Sequence, residues 1–255
     1  MSTGIKNLSY RLGGNGLNNS GSQSEKNSAG RVSETIGAIT RHIRTHELMP
    51  GDRLPSESAL SKDLKVSRTV VREAFRSLAA MRIIELNVGK RATVANIDHG
   101  AMSLIIEHGV HTEQINVQQI YDVRRTIETR IVTLAAIRRS DDEATTILKL
   151  AEAMAAAVGT PERLMEHDLA FHLALARASR NPVFELIVGA FQGITRQTWP
   201  IGWKSRTSEQ ARQTMIDTHL RIAKAVAAGD PQQAVEAMSK HFDESVHALL
   251  QAGLS

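Results

Sequence analysis

Residues 66–78 read VSRTVVREAFRSL, and this stretch decides the interpretation of the first third of the chain. Its apolar residues recur at the spacing of one helix face, whereas Arg68, Arg72 and Arg76 recur every four residues on the opposite face. Ser67 precedes this segment and can cap a helix through its hydroxyl. The pattern therefore predicts a capped amphipathic helix with an aliphatic buried face and a cationic exposed face.

The segments around this helix predict the rest of a small domain. Upstream, apolar residues at helical spacing predict a helix over about 31–45, and Ser56 can cap a short helix that ends near residue 64. Downstream, residues 83–86 and 92–95 have the composition of two short strands joined by a charged, glycine-containing turn. Three helices followed by a hairpin are the order of a winged helix-turn-helix.

The cationic side chains of this segment are the candidates for contacts with DNA, together with Ser56 and Ser67 at the helix starts. Thr69 and the three arginines lie on the predicted recognition helix, where the planar arginine fork can bind a guanine edge. The wing turn offers Lys90 and Arg91 to a phosphate or the minor groove, and Arg53 is a further phosphate candidate. The alternative is a solvated cationic face with ordinary helical ion pairs.

Composition and charge limit the partners and the kinds of site that this chain can have. The 255 residues carry a net charge of +4, and residues 31–95 alone hold 12 Lys/Arg against 7 Asp/Glu. The C-terminal body is mildly acidic, so we expect a polyanion to contact the basic segment only. The absence of cysteine excludes disulfides and thiolate zinc sites. We expect a cytoplasmic protein without a membrane partner, because no apolar run reaches the length of a membrane span.

The hydrophobic pattern divides the chain into three parts. Residues 1–30 are rich in Gly, Ser and Asn and lack apolar periodicity, so we expect a disordered tail. Residues 31–97 are the predicted winged helix-turn-helix domain, and residues 98–255 are predicted to be helical throughout. The helices are expected near 101–109, 117–138, 141–158, 161–179, 182–198, 207–228 and 231–252. The predicted fold class is mainly α, with the winged domain followed by an all-α antiparallel helical bundle.

One carboxylate and three histidines of the C-terminal half have the spacing of a metal site. Asp168 and His172 lie four residues apart on one predicted helix, so both side chains point the same way. His219 and His241 are nearly equidistant from the turn at residues 229–231, so they come level in an antiparallel helix pair. Such a set can bind a divalent transition metal, with Zn²⁺, Ni²⁺ and Mn²⁺ all possible. Alternatively, these are histidines with ordinary hydrogen bonds.

The first third of the chain resembles the GntR family of transcriptional regulators. The resemblance rests on PGDRLPSE at residues 50–57 and on the stretch at 66–78, and it covers residues 31–95 almost completely. It implies that Arg68 and Arg72 are the base-reading and phosphate-gripping pair. It further implies a homodimer, most often a repressor, that binds a palindromic operator in double-stranded DNA.

The wing and the second helix depart from the family pattern in two places. The resemblance implies that Gly89 lets the wing backbone approach the groove. Many relatives carry an arginine where this chain has Ser58, so one phosphate contact is missing from the expected set. Relatives also tend to have a second wing glycine where this chain has Arg91.

The C-terminal half resembles the FCD effector domain of the FadR subfamily of these regulators, over about residues 100–250. The resemblance rests on YDVRRTIE at residues 121–128, on DLAFH at 168–172 and on the two late histidines. It implies that Asp168, His172, His219 and His241 bind a divalent metal. It also implies that Arg124 pairs with the carboxylate of a small organic acid, and a sugar acid is the expected class of effector.

The sequence is compatible with two alternative functions, and it does not define the role of residues 195–203. The helical half can be a metal-dependent enzyme whose Asp/His₃ site activates water. Against this, no base is spaced for that role and there is no nucleophile motif, so we expect no enzyme. The second alternative is a constitutive DNA-binding protein with a structural metal. The tract at residues 195–203 holds both tryptophans, Trp199 and Trp203, and is expected to be a pocket lid or a loop packed on the core.

Overall fold

The computed structural model describes residues 20–253, with side chains from residue 28 onward. The chain divides into two compact units after Asn96, one residue from the boundary predicted by the hydrophobic pattern. The first unit contains α1 (Ser20–Thr45), α2 (Glu57–Asp63), α3 (Arg68–Ala80), β1 (Ile84–Glu85) and β2 (Thr93–Val94). The second contains α4 (Gly100–His111), α5 (Val117–Arg138), α6 (Asp141–Ala156), α7 (Pro161–Ala178), α8 (Pro182–Ala190), α9 (Gln192–Ser205), α10 (Glu209–Ala228) and α11 (Pro231–Gln251).

Helix α1 begins earlier than the apolar pattern predicts. It starts at Ser20, eleven residues before the predicted start at Arg31, and so includes part of the segment expected to be disordered. No hydrophobic pattern marks this start, because residues 20–30 offer no apolar face. The rest of the predicted tail, residues 1–19, lies outside the described residues.

The first unit packs its helices around a small aliphatic core. Ile39 of α1, Leu60 of α2 and the apolar face of α3 are buried together, and Ile84 of β1 closes the core. The two strands pair antiparallel, with Ile84 opposite Val94. This is the three-helix and hairpin arrangement of a winged helix-turn-helix, and the predicted fold of this segment is confirmed.

The second unit is an all-α bundle, as predicted. Helix α5 packs against α7, α10 and α11, while α6 packs against α7 and α10. Ser140 and Asn116 each form a capping box at a helix start, and Gly229 adopts a left-handed φ of 70° that ends α10. Thr160 precedes Pro161 at the start of α7, but its side chain makes no capping hydrogen bond.

The predicted helix over 182–198 is two helices in the structure. The helix is interrupted at Phe191, which ends α8 and precedes α9. The tract that holds both tryptophans is part of α9 and is helical rather than a loop. Gly189 and Gly193 flank the break, and a Cβ at either position would collide with His99 or with Glu107 of α4. The break thus accompanies a close approach of α4, which the absence of a Cβ at Gly189 and Gly193 accommodates.

Within residues 20–253, no helix combines the length and the apolar character that a membrane span requires.

Candidate DNA interface and effector site

Helix α3 presents its arginines to solvent because its apolar face is fully used in the core. Val71, Ala74 and Leu78 are completely buried, while Arg68, Thr69, Arg72 and Arg76 are exposed. The Ser67 hydroxyl accepts a hydrogen bond from the Val70 amide at 3.3 Å, which caps the helix as predicted. The exposed face is therefore fixed in direction by the burial of the opposite face.

Each arginine of α3 is held by a neighbouring side chain. Arg68 donates to the Ser58 hydroxyl at 3.0 Å, and Arg72 donates to the Glu57 carboxylate at 3.1 and 3.2 Å. Arg76 pairs with Glu73 at 2.7 Å. Such exposed contacts are weak because water screens them, so a phosphate can replace them at small cost.

The wing turn closes a groove beside α3. Gly89 has a φ of 71°, which glycine adopts without strain, and Lys90 is exposed next to it. A concave surface of about 620 Å³ lies between the wing and α3 and includes Arg72, Arg76 and Lys90 in its lining. A cationic groove of this kind matches the charge of a nucleic-acid backbone.

Three further predicted DNA contacts have local structural roles. The guanidinium of Arg91 turns back and donates to the Leu54 carbonyl oxygen, with the Nε–O distance at 2.8 Å. Arg53 is exposed and forms a β-bridge with Thr93, beside the strand pair. The Ser56 hydroxyl accepts from the Ala59 amide at 3.1 Å and so caps α2. These contacts tie the wing and the start of α2 together.

In the second unit, three helices bring the predicted metal ligands to one buried point. Asp168 and His172 come from α7, His219 from α10 and His241 from α11. All four side chains are at least 94% buried. The three histidines each place one ring nitrogen within 4.8 Å of the others, as expected from the antiparallel pairing of α10 and α11.

The hydrogen bonds of two imidazoles define which nitrogen faces the cluster. His172 contacts the Glu128 carboxylate through Nδ1, and His219 lies 2.8 Å from the Met215 carbonyl oxygen through Nδ1. Because both partners can only accept, both Nδ1 atoms carry a proton and both Nε2 atoms keep a lone pair. These two Nε2 atoms are buried and have no hydrogen-bond partner among the described residues.

A bound cation would satisfy these orphaned nitrogens. His219 Nε2 lies 2.8 Å from Asp168 Oδ1, so an imidazole lone pair faces a carboxylate oxygen. Two acceptors this close repel one another unless a proton or a cation lies between them. Burial, the largest cause, together with the charges of Arg124 and Arg206 holds the pKa of His241 well below its usual value. This imidazole is therefore neutral, the form that binds a metal. The donor set thus fits a divalent ion.

Helix α5 adds a buried ion pair beside the cluster. Arg124 donates to Glu128 at 2.8 Å and to the Thr195 hydroxyl at 3.0 Å. Burial would raise the pKa of Glu128, but Arg124 and His172 lower it to about 2. A carboxylate bound on one side to Arg124 and on the other to His172 fixes both side chains. The sequence analysis assigned no role to Glu128. Its spacing of four residues from Arg124 on the same helix is the sequence feature that indicates this ion pair.

A small cavity adjoins both groups and is roofed by the tryptophans. Its volume is about 30 Å³, and Arg124, His172 and His241 line it together with residues of α9. Trp199 and Trp203 are stacked with their rings 5.4 Å apart, and both line this cavity and also a surface pocket of about 420 Å³. The pair therefore stands between the cavity and the surface, as the lid interpretation requires. Ligand pockets for small molecules are about 300–1,000 Å³, so a bound acid requires movement of this lining.

The comparisons with known proteins agree with this geometry. A model of the bacterial regulatory proteins of the gntR family matches residues 32–94, and a model of the FCD domain matches residues 119–244. The HTH-type transcriptional regulator LutR of Bacillus subtilis is 31% identical over 207 residues, which are 78% of this chain and 92% of the relative. The galactonate operon transcriptional repressor of Escherichia coli is 26% identical over 217 residues, which are 83% and 92% of the two chains.

A solved structure extends the similarity to three dimensions. Streptococcus agalactiae GntR matches with a TM-score of 0.61 at 27% sequence identity, covering 84% of this chain and 97% of that one. The matched families and relatives are transcription regulators rather than enzymes. The chain therefore belongs to the GntR family of bacterial transcriptional regulators, with the FadR-subfamily architecture of a winged helix-turn-helix followed by an FCD domain.

Proposed function

We propose that this regulator is a cytoplasmic repressor that binds an operator through α3 and the wing and senses a small organic acid at a metal in the FCD domain. The observation that carries the proposal is the pair of buried Nε2 atoms of His172 and His219 without a hydrogen-bond partner. His172 also lines the cavity that contains Arg124. A site with orphaned lone pairs and a guanidinium favours a cation together with an anion.

The proposed site divides its work among this chain's own residues. Asp168, His172, His219 and His241 hold the divalent ion, whose charge attracts an acid. Arg124 binds the carboxylate of that acid through its fork, while Glu128 keeps Arg124 and His172 oriented. Trp199 and Trp203 exclude water from the occupied site.

Exposed apolar side chains support a homodimer. Leu104 and Ile105 of α4 are 68% and 70% exposed, and Met102 on the same helix is also exposed. Soluble proteins seldom leave such residues together on a helix unless a partner covers them. A dimer of this chain would place two copies of α3 on the two halves of a palindromic operator. Light scattering should show a dimer for the wild type and a monomer for Leu104→Glu.

A thermal-shift screen tests the sensing function. Sugar acids, hydroxy acids and dicarboxylates are added to the protein as purified and to protein treated with a chelator. A ligand at 100 times its dissociation constant stabilises by ~2.7 kcal/mol, which raises the melting temperature by several degrees. We expect a shift that disappears on chelation. A protein that retains metal by elemental analysis but responds to no acid would instead be a constitutive DNA-binding protein with a structural metal.

A further inference from the structure

A second arginine lines the FCD cavity at the C-terminal end of α9. Arg206 immediately follows α9 and lines the same cavity as Arg124, which comes from α5. It also lines a surface pocket of about 360 Å³ with Glu244 and His247 of α11. The sequence pattern assigned no role to this residue.

The two arginines differ in what balances their charge. Arg124 is paired with Glu128 at 2.8 Å. Arg206 donates to the Gly202 carbonyl oxygen at 2.7 Å and to the Glu244 carbonyl oxygen at 3.5 Å, and no carboxylate of the described residues forms an ion pair with it. Carbonyl groups accept hydrogen bonds but carry no net charge, so these two contacts do not neutralise the guanidinium of Arg206 at the cavity wall.

The surroundings of Arg206 only partly compensate its charge. Burial lowers the pKa of Arg206, and the nearby Asp168 and Glu244 carboxylates partly offset that effect. Asp168 itself is already engaged, because its Oδ1 lies 2.8 Å from His219. A half-buried guanidinium without a carboxylate in ion-pair contact favours the arrival of an anion.

We propose that Arg206 binds a second carboxylate of the effector, so that the site selects dicarboxylic acids over monocarboxylic acids of the same chain length. The inference rests on the proposed acid-sensing function. One carboxylate reaches the metal cluster and Arg124, and the other reaches Arg206. Thr195 and Thr198, both buried on α9, line the same cavity as the two arginines.

Calorimetric titration with matched acids tests this selectivity on the full-length, metal-loaded protein. The pairs are malate with 2-hydroxybutyrate, and 2-hydroxyglutarate with 2-hydroxyvalerate, which differ only by a carboxylate in place of a methyl group. We expect the dicarboxylate of at least one pair to bind about tenfold tighter or more, the ratio for one charge-assisted hydrogen-bonded contact.

Variants of Arg206 separate this role from a structural one. Arg206→Gln should bring the ratio within a pair close to one while changing monocarboxylate affinity by less than about threefold. Arg206→Lys keeps the charge without the fork and should give an intermediate ratio. Lys204→Gln removes the same charge from an exposed position two residues away and should leave the ratio unchanged. Circular dichroism and elemental analysis check that each variant keeps its fold and metal.

The outcomes distinguish this inference from the function on which it rests. Metal-dependent binding of both members of each pair with equal affinity would overturn the role of Arg206 and leave acid sensing intact. A dicarboxylate preference that persists in both Arg206 variants would also overturn it. No binding of any acid to metal-loaded protein would contradict acid sensing itself, and the inference with it.

Discussion

The two units of this regulator place their polar side chains in opposite environments. In the winged unit, Arg68, Arg72 and Arg76 are exposed, and each is paired with a single neighbour on the surface. In the FCD unit, Arg124 and Glu128 are almost completely buried and form a continuous chain of contacts with the histidine cluster. The first arrangement makes separable surface contacts, whereas the second makes contacts that depend on one another.

This difference predicts how mutations act in the two units. Replacing one exposed cation removes one contact and leaves its neighbours in place, so effects in the winged unit should be nearly additive. Replacing one member of the buried chain leaves its partner unpaired in a region without water, so effects should spread through the site. The variants below test this contrast in decreasing order of expected effect.

The largest effect is expected for His241→Ala. Loss of this imidazole removes one of three nitrogen donors and opens a space beside His172 and His219, whose rings lie 5.0 and 4.5 Å from it. We expect metal affinity to fall by more than about a hundredfold and the response to acid to disappear. His247→Ala, at an exposed position on the same helix, is the control and should keep both properties. Elemental analysis that finds full metal in His241→Ala would remove this residue from the site.

Arg72→Ala should weaken binding to DNA and leave metal content unchanged. A lost contact to a base or phosphate costs about 1–3 kcal/mol, and loss of a phosphate contact also lowers the salt slope of binding by about 1. Fluorescence anisotropy at several salt concentrations measures both quantities. Arg44→Ala, on α1 and away from the wing groove, serves as the control. A loss of metal in Arg72→Ala would show that the two units are not independent.

Glu128→Gln tests the link between the ion pair and the metal cluster. The amide is nearly the same size but carries no charge, so His172 and Arg124 both lose a carboxylate partner. We expect metal affinity to fall by about 10- to 100-fold. If Glu128 acts by orienting its partners, Glu128→Asp should recover part of this affinity. Equal metal affinity in wild type and Glu128→Gln would contradict that role.

The smallest effect is expected for Ser67→Ala, which removes the cap of α3. The lost hydrogen bond to the Val70 amide should lower the stability of the winged unit by about 1 kcal/mol. Ser77→Ala is the matched control, because the Ser77 hydroxyl bonds within the same helix to the Glu73 carbonyl oxygen at 2.9 Å and caps nothing. Denaturant unfolding measures both variants, and equal loss in the two would show that capping is not the cause.

Sequence patterns predicted the features that depend on neighbours in the chain. The caps Ser56 and Ser67, and the facing of His219 and His241, follow from helical spacing and from an antiparallel turn. The break at Phe191 could not be predicted this way, because it accompanies packing against the distant helix α4. The role of Glu128 was also missed, since its contact with His172 joins residues 44 apart in the chain.

The coupling between the two units is the central claim, and one titration measures it directly. A labelled operator, selected from random-sequence duplexes, is titrated with metal-loaded and with chelated protein, each with and without the acid found by thermal shift. We predict that the acid changes the affinity of the loaded protein for the operator by about 5- to 150-fold, the usual size of such coupling, and does not change that of the chelated protein. An acid that binds the loaded protein without changing its affinity for the operator would contradict the account.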